Sequence, residues 1–284
     1  MNPKRRFFIL ILTAALAGML IFAINVFSYE RVLRMQDKRV ITFDQMMRDK
    51  QDADIIVVGE SHTDPRHHEL QLKVIRTLHE KGVPLAIGLE MFTAGSQGAL
   101  NKWIEGKLSL EQFLPIYYEN WNLPWPLYSD ILLYAREHDI PLVGLNVPRS
   151  ITTKVAKEGF DSLTEEERRQ LPSGISCTID EAYMEFIRSM HSAHAHGKEF
   201  VNFCEAQMIW DNAMALNALE FLQNNPDRTM VVLAGTVHAW KRAIPEQIRR
   251  QGSGNVVSVV LPEVPGTAEQ GGVTEKDTDF LMLR

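Results

Sequence analysis

The feature that most constrains the fold is a series of short, continuous apolar segments separated by stretches with helical periodicity. These segments are DIIVVG (54–59), PLAIGLEMF (84–92), IPLVGLNVP (140–148), TMVVLAG (229–235) and NVVSVVLP (255–262). They lack the polar–apolar alternation of a strand with one solvated face, and such runs are typical of strands covered by helices on both sides. The pattern predicts an α/β fold with a mainly parallel sheet flanked by helices.

Two connections between these segments are too long for simple crossovers. They span about residues 96–140 and 150–204, and both contain helical patterns. Connections of that length are normally structured, so we expect a small helical subdomain inserted over the carboxyl ends of the strands. A last apolar segment, DFLML (279–283), predicts an additional edge strand.

The N-terminus predicts a membrane anchor. MNPKRR supplies positive charge, and no ionisable residue follows from Phe7 to Phe27. About 20 apolar residues in a helix span a bilayer, and the cationic flank stays in the cytoplasm. We therefore expect a signal anchor over 1–29, a linker with one short helix over 30–52, and a domain over 53–284 outside the cytoplasm. The alternative is a cleaved signal peptide and a secreted protein, although the apolar core of such peptides is usually only about 7–15 residues long.

The net charge limits the classes of binding partner, and the cysteine content limits the possible disulfides. The formal net charge is −6, and no basic stripe occurs beyond the N-terminus, which argues against nucleic acid as a partner. Cys177 and Cys204 are the two cysteines. Export permits a disulfide between them, but two separate buried thiols are an equally good interpretation.

Titratable side chains follow several of the predicted strands directly. The residues that we expect to share a site are Glu60, His62, Glu90 and His238. Carboxyl ends of parallel strands lie along one edge of a sheet, so these groups can meet over one crevice. Two histidines and two carboxylates can coordinate a divalent metal or position a water for attack. A G-x-x-H motif occurs at both 59–62 and 235–238; the alternative is that these glycines serve only the turns.

VVGESH, GLEMF and LAGTVHAW resemble the Tiki/TraB, erythromycin-esterase and ChaN-like superfamily, whose members share paired G-x-x-H motifs. DPRHHELQLKVIRTL and EAQMIWDNAMA make the ChaN-like haem-binding proteins the closer match, from about residue 54 to the C-terminus. That branch implies haem binding in iron uptake. The esterase branch implies hydrolysis with His62 as the base, and the Tiki branch implies metal-dependent proteolysis. ChaN-like lipoproteins carry a lipidated cysteine where this chain has an apolar span, which favours a bacterial inner-membrane protein facing the periplasm or the extracellular side.

The resemblance implies a tyrosine ligand for haem without indicating which tyrosine provides it. The haem-binding candidates are Tyr117, Tyr118, Tyr128, Arg149 and His194. Tyrosine and histidine are both axial haem ligands, and arginine suits a propionate. Alternatively, the aromatic residues form the core of the subdomain and Arg149 pairs with a buried carboxylate. A homodimer with cofacial haems is compatible with the resemblance.

We therefore expect a membrane-anchored, extracytoplasmic haem-binding protein of the ChaN-like type, connected with haem or iron uptake. The alternative is a metal-dependent or His/Glu-type hydrolase, an esterase or a protease, that uses Glu60, His62, Glu90 and His238. Enzymatic activity is left open by the sequence.

Overall fold

A sheet of eight strands lies at the centre of the computed structural model, which describes residues 31–50, 52–190, 197–252, 254–263 and 272–283. The strands are β1 (Arg31–Arg34), β2 (Arg39–Thr42), β3 (Ile55–Glu60), β4 (Leu85–Thr93), β5 (Leu142–Asn146), β6 (Thr229–Gly235), β7 (Val257–Leu261) and β8 (Phe280–Leu283). Their order is β2-β1-β8-β7-β3-β6-β4-β5. From β8 to β5 all neighbours are parallel, whereas β1 is antiparallel to both β8 and β2. The mainly parallel α/β fold predicted from the sequence is confirmed.

Helices cover both faces of this sheet. They are α1 (Phe43–Asp49), α2 (Pro65–Glu80), α3 (Gln97–Ile104), α4 (Leu110–Asn120), α5 (Ser129–Glu137), α6 (Arg149–Glu158), α7 (Glu165–Arg168), α8 (Glu181–Met190), α9 (Gly197–Asn224), α10 (Thr236–Ala239) and α11 (Ile244–Arg250). Ile56 and Val58 pack in one apolar cluster with α2 to α5, and Ile55 and Val57 pack in the opposite cluster with α8, α9 and α11. Successive side chains of a strand point to opposite faces, which explains why the apolar runs are continuous.

Both long connections contain the expected helices. Helices α3 to α5 follow β4, and α6 to α9 follow β5. Trp103, Phe113 and Tyr117 are fully buried between α3 and α5 and belong to the same cluster as one face of the sheet. The aromatic side chains of this insertion thus serve mainly as a core, as the alternative interpretation proposed.

Residues 31–42 differ from the linker that the sequence predicted. They form a hairpin, β1 and β2, that extends the sheet beyond β8. The short helix predicted within residues 30–52 is present as α1. The strand DFLML is also present, as β8, but it lies between β7 and β1 and is not the edge of the sheet.

The predicted membrane segment (7–27) and His191, His194 and His196 lie outside the described residues. Among the residues that are described, no helix is both long and apolar enough to span a bilayer. Cys177 and Cys204 are free thiols in the structure, and Cys204 is fully buried.

Candidate functional site

The turn after β3 is fixed by side chains of its own sequence. Asp64 caps α2 by accepting a hydrogen bond from the Arg66 backbone N–H at 3.1 Å, and Pro65 occupies the first helical position. The backbone N–H of Ser61 donates to His67 Nδ1 at 2.8 Å. Burial lowers the pKa of His67, so this ring stays neutral and able to accept that bond. The segment between Gly59 and His67 is therefore held in one conformation.

Glu60, the last residue of β3, carries a buried negative charge. Its Oε1 accepts hydrogen bonds from His62 Nδ1 at 2.7 Å and from the hydroxyl of Tyr128. His68 Nε2 lies 3.2 Å from Oε2, a close contact without hydrogen-bond geometry. Burial by itself raises the pKa of this carboxyl, but the His62 and His68 rings outweigh it and bring the pKa down to about 2. Glu60 is thus ionised at every ordinary pH.

Glu90 lies where the pairing of β4 with β5 shifts register, between Leu89 and Thr93. Its backbone oxygen accepts a hydrogen bond from Asn146 Nδ2 at 2.8 Å. Its side-chain Oε2 accepts the backbone N–H of Gly235 at 2.5 Å. The irregular pairing turns this side chain over the ends of the neighbouring strands, and the Gly235 bond fixes the carboxylate there.

His238, in the short helix α10, is held from behind by Asp211 of α9. Its Nδ1 lies 2.7 Å from Asp211 Oδ1, and Tyr183 donates its hydroxyl to Asp211 Oδ2 at 2.7 Å. Burial opposes protonation of His238, but the charges of Glu90 and Asp211 raise its pKa to about 9. Burial also raises the pKa of the Asp211 carboxyl. The result is a Tyr–Asp–His chain whose last free nitrogen, His238 Nε2, points toward Glu90.

The two histidines face the same carboxylate from different sides. His62 Nε2 lies 4.0 Å from Glu90 Oε1, and His238 Nε2 lies 3.9 Å from the same atom. Burial lowers the pKa of His62, but its bond to Glu60 and the charge of Glu90 raise the net value above 6.5. A Cβ on Gly235 would lie 2.8 Å from His62 Cε1, so only glycine leaves room for this ring. The four residues predicted to meet over one crevice therefore lie together.

A cleft of about 1090 Å³ opens above these groups. Its apolar walls include Met91, Ile116, Trp121, Val147, Trp210 and Val237. Trp121 packs edge-on against His62 at 5.0 Å between ring centroids, and Trp210 does so against His238 at 5.4 Å. The site is thus divided into a charged floor, formed by Glu60, Glu90, His62 and His238, and a wider mouth with aromatic walls.

The predicted haem-binding residues separate into buried and accessible ones. Tyr117 is fully buried and donates its hydroxyl to the Leu123 carbonyl at 3.0 Å. Tyr128 is buried and committed to Glu60, and burial with that negative charge raises its pKa. Tyr118, by contrast, is 50% exposed and lines the mouth. Its hydroxyl oxygen accepts the Trp125 backbone N–H at 3.2 Å, which orients the phenol.

Arg149 is exposed at the start of α6 and also lines the mouth. The predicted alternative, an ion pair with Glu60 or Glu90, is not formed, and no other carboxylate of the described residues pairs with it. The guanidinium is therefore available to a ligand.

The divalent metal that the sequence suggested at His62, His238, Glu60 and Glu90 is not supported. Within the described ranges, no group of three or more His, Cys, Asp or Glu side chains is arranged to hold a metal ion. Glu60, moreover, is not directed at such a site, because its Oε1 already accepts hydrogen bonds from His62 Nδ1 and from the hydroxyl of Tyr128.

Sequence reasoning missed Asp211, Tyr183 and His68 as members of the site. An acidic residue inside an apolar helix is costly to bury unless it is paired, and exposure is the usual outcome. Asp211 is instead only 1% exposed and pairs with His238. The available signal was its position in the mostly apolar segment EAQMIWDNAMA, which gives no indication of the partner.

Comparison with known proteins gives a family and a fold. The sequence profile of a family described as haem-binding uptake, Tiki superfamily, ChaN matches residues 46–248. ChaN of Campylobacter jejuni, solved with cofacial haem binding, is similar with a TM-score of 0.70 and 20% identity, over 89% of this chain and 96% of that one. The type III effector HopBA1 is similar with a TM-score of 0.50 and 13% identity, over 84% and 91%. No curated protein matches the sequence.

Proposed function

This chain belongs to the Tiki-superfamily haem-binding uptake family of ChaN, and on that premise we propose that it binds haem at the mouth of the cleft. The observation that carries the proposal is the accessibility of Tyr118, a half-exposed phenol on the wall of a large aromatic cleft. Small-molecule sites are usually clefts of about 300–1,000 Å³ with apolar walls and a few placed polar groups, and this cleft of about 1090 Å³ is slightly larger than that range.

Tyr118 is the residue that would hold the haem iron, because the other two candidate tyrosines are not available. Tyr117 and Tyr128 are buried and use their hydroxyls within the protein. Haem iron, when bound, supplies the redox and ligand-exchange chemistry of the site, and tyrosine is one of its known protein ligands. His62 is the rival donor, since its Nδ1 is held by Glu60 and its side chain is 35% exposed.

Arg149 is the proposed partner of a haem propionate. It lies at the mouth and pairs with no carboxylate in the part of the chain that the structure describes, and a guanidinium forms bidentate hydrogen bonds with a carboxylate. Trp121, Ile116 and Val147 would cover the apolar faces of the porphyrin. The donor, the cation and the apolar walls thus fit the chemistry of haem.

We further propose that the protein serves haem or iron uptake outside the cytoplasm, anchored in the bacterial inner membrane by residues 1–29. The apolar run with its cationic flank supports this location. Extraction of bacterial membranes with alkaline carbonate tests it. Retention in the membrane fraction supports an anchor, and release into the soluble fraction would refute it in favour of a cleaved signal.

A haem titration of the full chain in mild detergent, followed by absorbance, tests the ligand assignment. We expect a saturable Soret shift whose spectrum changes in Tyr118→Phe but not in Tyr134→Phe, a matched control outside the cleft. Arg149→Ala should weaken affinity about tenfold, because a hydrogen bond to a charged group is lost. A spectrum altered only by His62→Ala would replace Tyr118 with His62. No saturable shift at all would exclude the haem proposal.

A separate measurement tests the predicted homodimer with cofacial haems. The ratio of bound haem to chain and the gel-filtration volume of the complex show whether two chains share the haems.

A hydrolase remains the second candidate because of one observation. Each of two histidines is hydrogen-bonded through Nδ1 to a carboxylate, and both Nε2 atoms face one point beside Glu90. His62, open to the cleft, would act as the general base on a water, and His238, protonated at neutral pH, would donate a proton to the leaving group. Asp211 would position His238 without touching the substrate.

Chromogenic acetyl and butyryl esters test this second candidate. With hydrolysis at the site, His62→Ala should lower kcat by about 10²-fold or more while the fold is retained. Asp211→Asn should also lower kcat and shift the basic limb of the pH profile. Equal residual rates in the wild type and in His62→Ala would remove the hydrolase from consideration.

A further inference from the structure

A second cavity, of about 610 Å³, lies between α11 and the sheet, on the outer side of β7. Its walls carry a charge opposite to that of the whole chain. The cationic residues that line it are Lys241, Arg242, Arg249, Arg250 and Lys276. Among the described residues only two carboxylates, Asp180 and Glu246, line the same cavity, whereas the chain as a whole has a formal charge of −6.

The internal ion pairs leave part of this positive charge unneutralised. Glu246 is shared by two guanidinium groups, with Oε1 at 2.6 Å from Arg249 Nη2 and 3.0 Å from Arg250 Nε. Lys241 pairs with Asp279 at 2.7 Å. Arg250 also pairs with Asp180 at 3.2 Å, so the two arginines of α11 are balanced by two carboxylates. The unneutralised charge of the cavity therefore comes from its other cations.

Two further cations are not paired at all within the described residues. The side chains of Arg242 and Lys276 form neither an ion pair nor a hydrogen bond there, and both residues are exposed at the rim. They approach the cavity from different segments, one just before α11 and the other just before β8. Charges that converge from separate segments without partners favour a ligand with more than one negative charge.

The geometry points to a site for a phosphate-bearing anion in this cavity, separate from the haem cleft. Arginine forks match phosphate oxygens bidentately, and lysines add charge without geometric demand. Such a phosphate can belong to a free polyphosphate or to the headgroup of an anionic lipid.

This cavity also touches the network behind the first site. Tyr183 forms part of its wall, and the hydroxyl of the same tyrosine donates to Asp211, which holds His238. The anion site and the cleft are thus the two ends of one chain of contacts, although the anion site does not depend on haem binding.

Isothermal titration of the full chain in nonionic detergent tests the site with two probes. Sodium tripolyphosphate represents a free phosphate, and dibutyryl phosphatidylglycerol represents a lipid headgroup in soluble form. We expect saturable binding of at least one probe. The double variant Arg242→Gln/Lys276→Gln should weaken it about tenfold or more, since it removes two charged hydrogen-bond donors. Binding of only one probe identifies the source of the phosphate.

The matched control is Arg39→Gln/Lys107→Gln, which changes the net charge equally at exposed positions on β2 and before α4. It should bind as the wild type does. All four substituted residues are exposed, so both double variants should fold normally, and thermal unfolding checks this. Lys276→Gln alone serves as a second variant of the cavity. The inference is overturned if neither probe saturates, or if pocket and control variants lose affinity equally, which would mean that only overall charge matters.

Discussion

Gly235→Ala should displace His62 while leaving the backbone of the site intact. The backbone at Gly235 has φ −53° and ψ 145°, which alanine adopts without strain, and its N–H to Glu90 is retained. The new Cβ, however, would lie 2.8 Å from His62 Cε1 and 2.9 Å from Nε2, where ordinary contact begins at 3.4 Å. The ring must therefore retreat by about 0.6 Å, and crowding of this kind usually costs about 1–3 kcal/mol.

That retreat acts on the 2.7 Å bond between His62 Nδ1 and Glu60. Glu60 and Glu90 hold the pKa of His62 above 6.5, so weakening these contacts should move the pKa back toward 6.5. Titration of the histidine Cε1–Hε1 signals by NMR measures the shift directly. Gly98→Ala is the control, because Gly98 lines the same cleft and a Cβ there meets nothing within 4 Å.

We expect Gly98→Ala to retain the wild-type titration of His62 and Gly235→Ala to lose its upward shift. An unchanged His62 titration in a folded Gly235→Ala protein would refute the steric argument. The same variant also separates the two candidate functions. Haem held by Tyr118 at the mouth should still bind, whereas hydrolysis by His62 should fall.

Three further predictions concern the buried groups. The folded state raises the pKa of His238 from 6.5 to about 9, so protonation of this ring stabilises the fold by about 3 kcal/mol. The stabilisation should be complete below pH 6.5 and should be lost as the pH rises through 9, and urea unfolding at several pH values measures it. Tyr128→Phe removes a donor from the buried Glu60 charge and should cost about 1.5–3 kcal/mol in urea unfolding without changing the haem spectrum. Burial raises the pKa of Cys177 to about 12 and of Cys204 to about 11, so a disulfide reagent should modify both slowly at pH 8 unless the chain is unfolded first; rapid reaction of the native protein would contradict this.

The sheet was predictable from the sequence because its strands are buried on both faces. Continuous apolar runs such as 54–59 and 229–235 are typical of strands that helices cover on both faces. Parallel pairing of these strands places the titratable residues that follow them at one edge of the sheet. The hairpin β1–β2 could not be recognised in this way. Its strands have four residues each, of which only Val32 is buried, so they show no apolar run.

The supporting residues of the site were unpredictable for a different reason. Asp211 reaches His238 from the middle of a long helix, and Tyr128 reaches Glu60 from 68 positions away along the chain. Such partners depend on how α5 and α9 pack against the sheet, and sequence spacing contains no information about that. The strand-end residues themselves are positioned by hydrogen bonding within the sheet, which spacing does predict.

The free-energy cost of burying the charged floor, together with Asp211 behind it, suggests that these groups have a role beyond stabilising the fold. Glu60, Glu90 and Asp211 are three carboxylates buried beside two histidines, and burying charges usually costs more than their pairing recovers. The proposed haem site at the mouth uses Tyr118 and Arg149 but none of these three. If the floor were only structural, exchanging Asp211 and His238 together for an apolar pair should leave the protein folded and its ligand chemistry unchanged. Loss of haem affinity or of ester turnover in that folded double variant, compared with the wild type, would instead show that the floor takes part in the function.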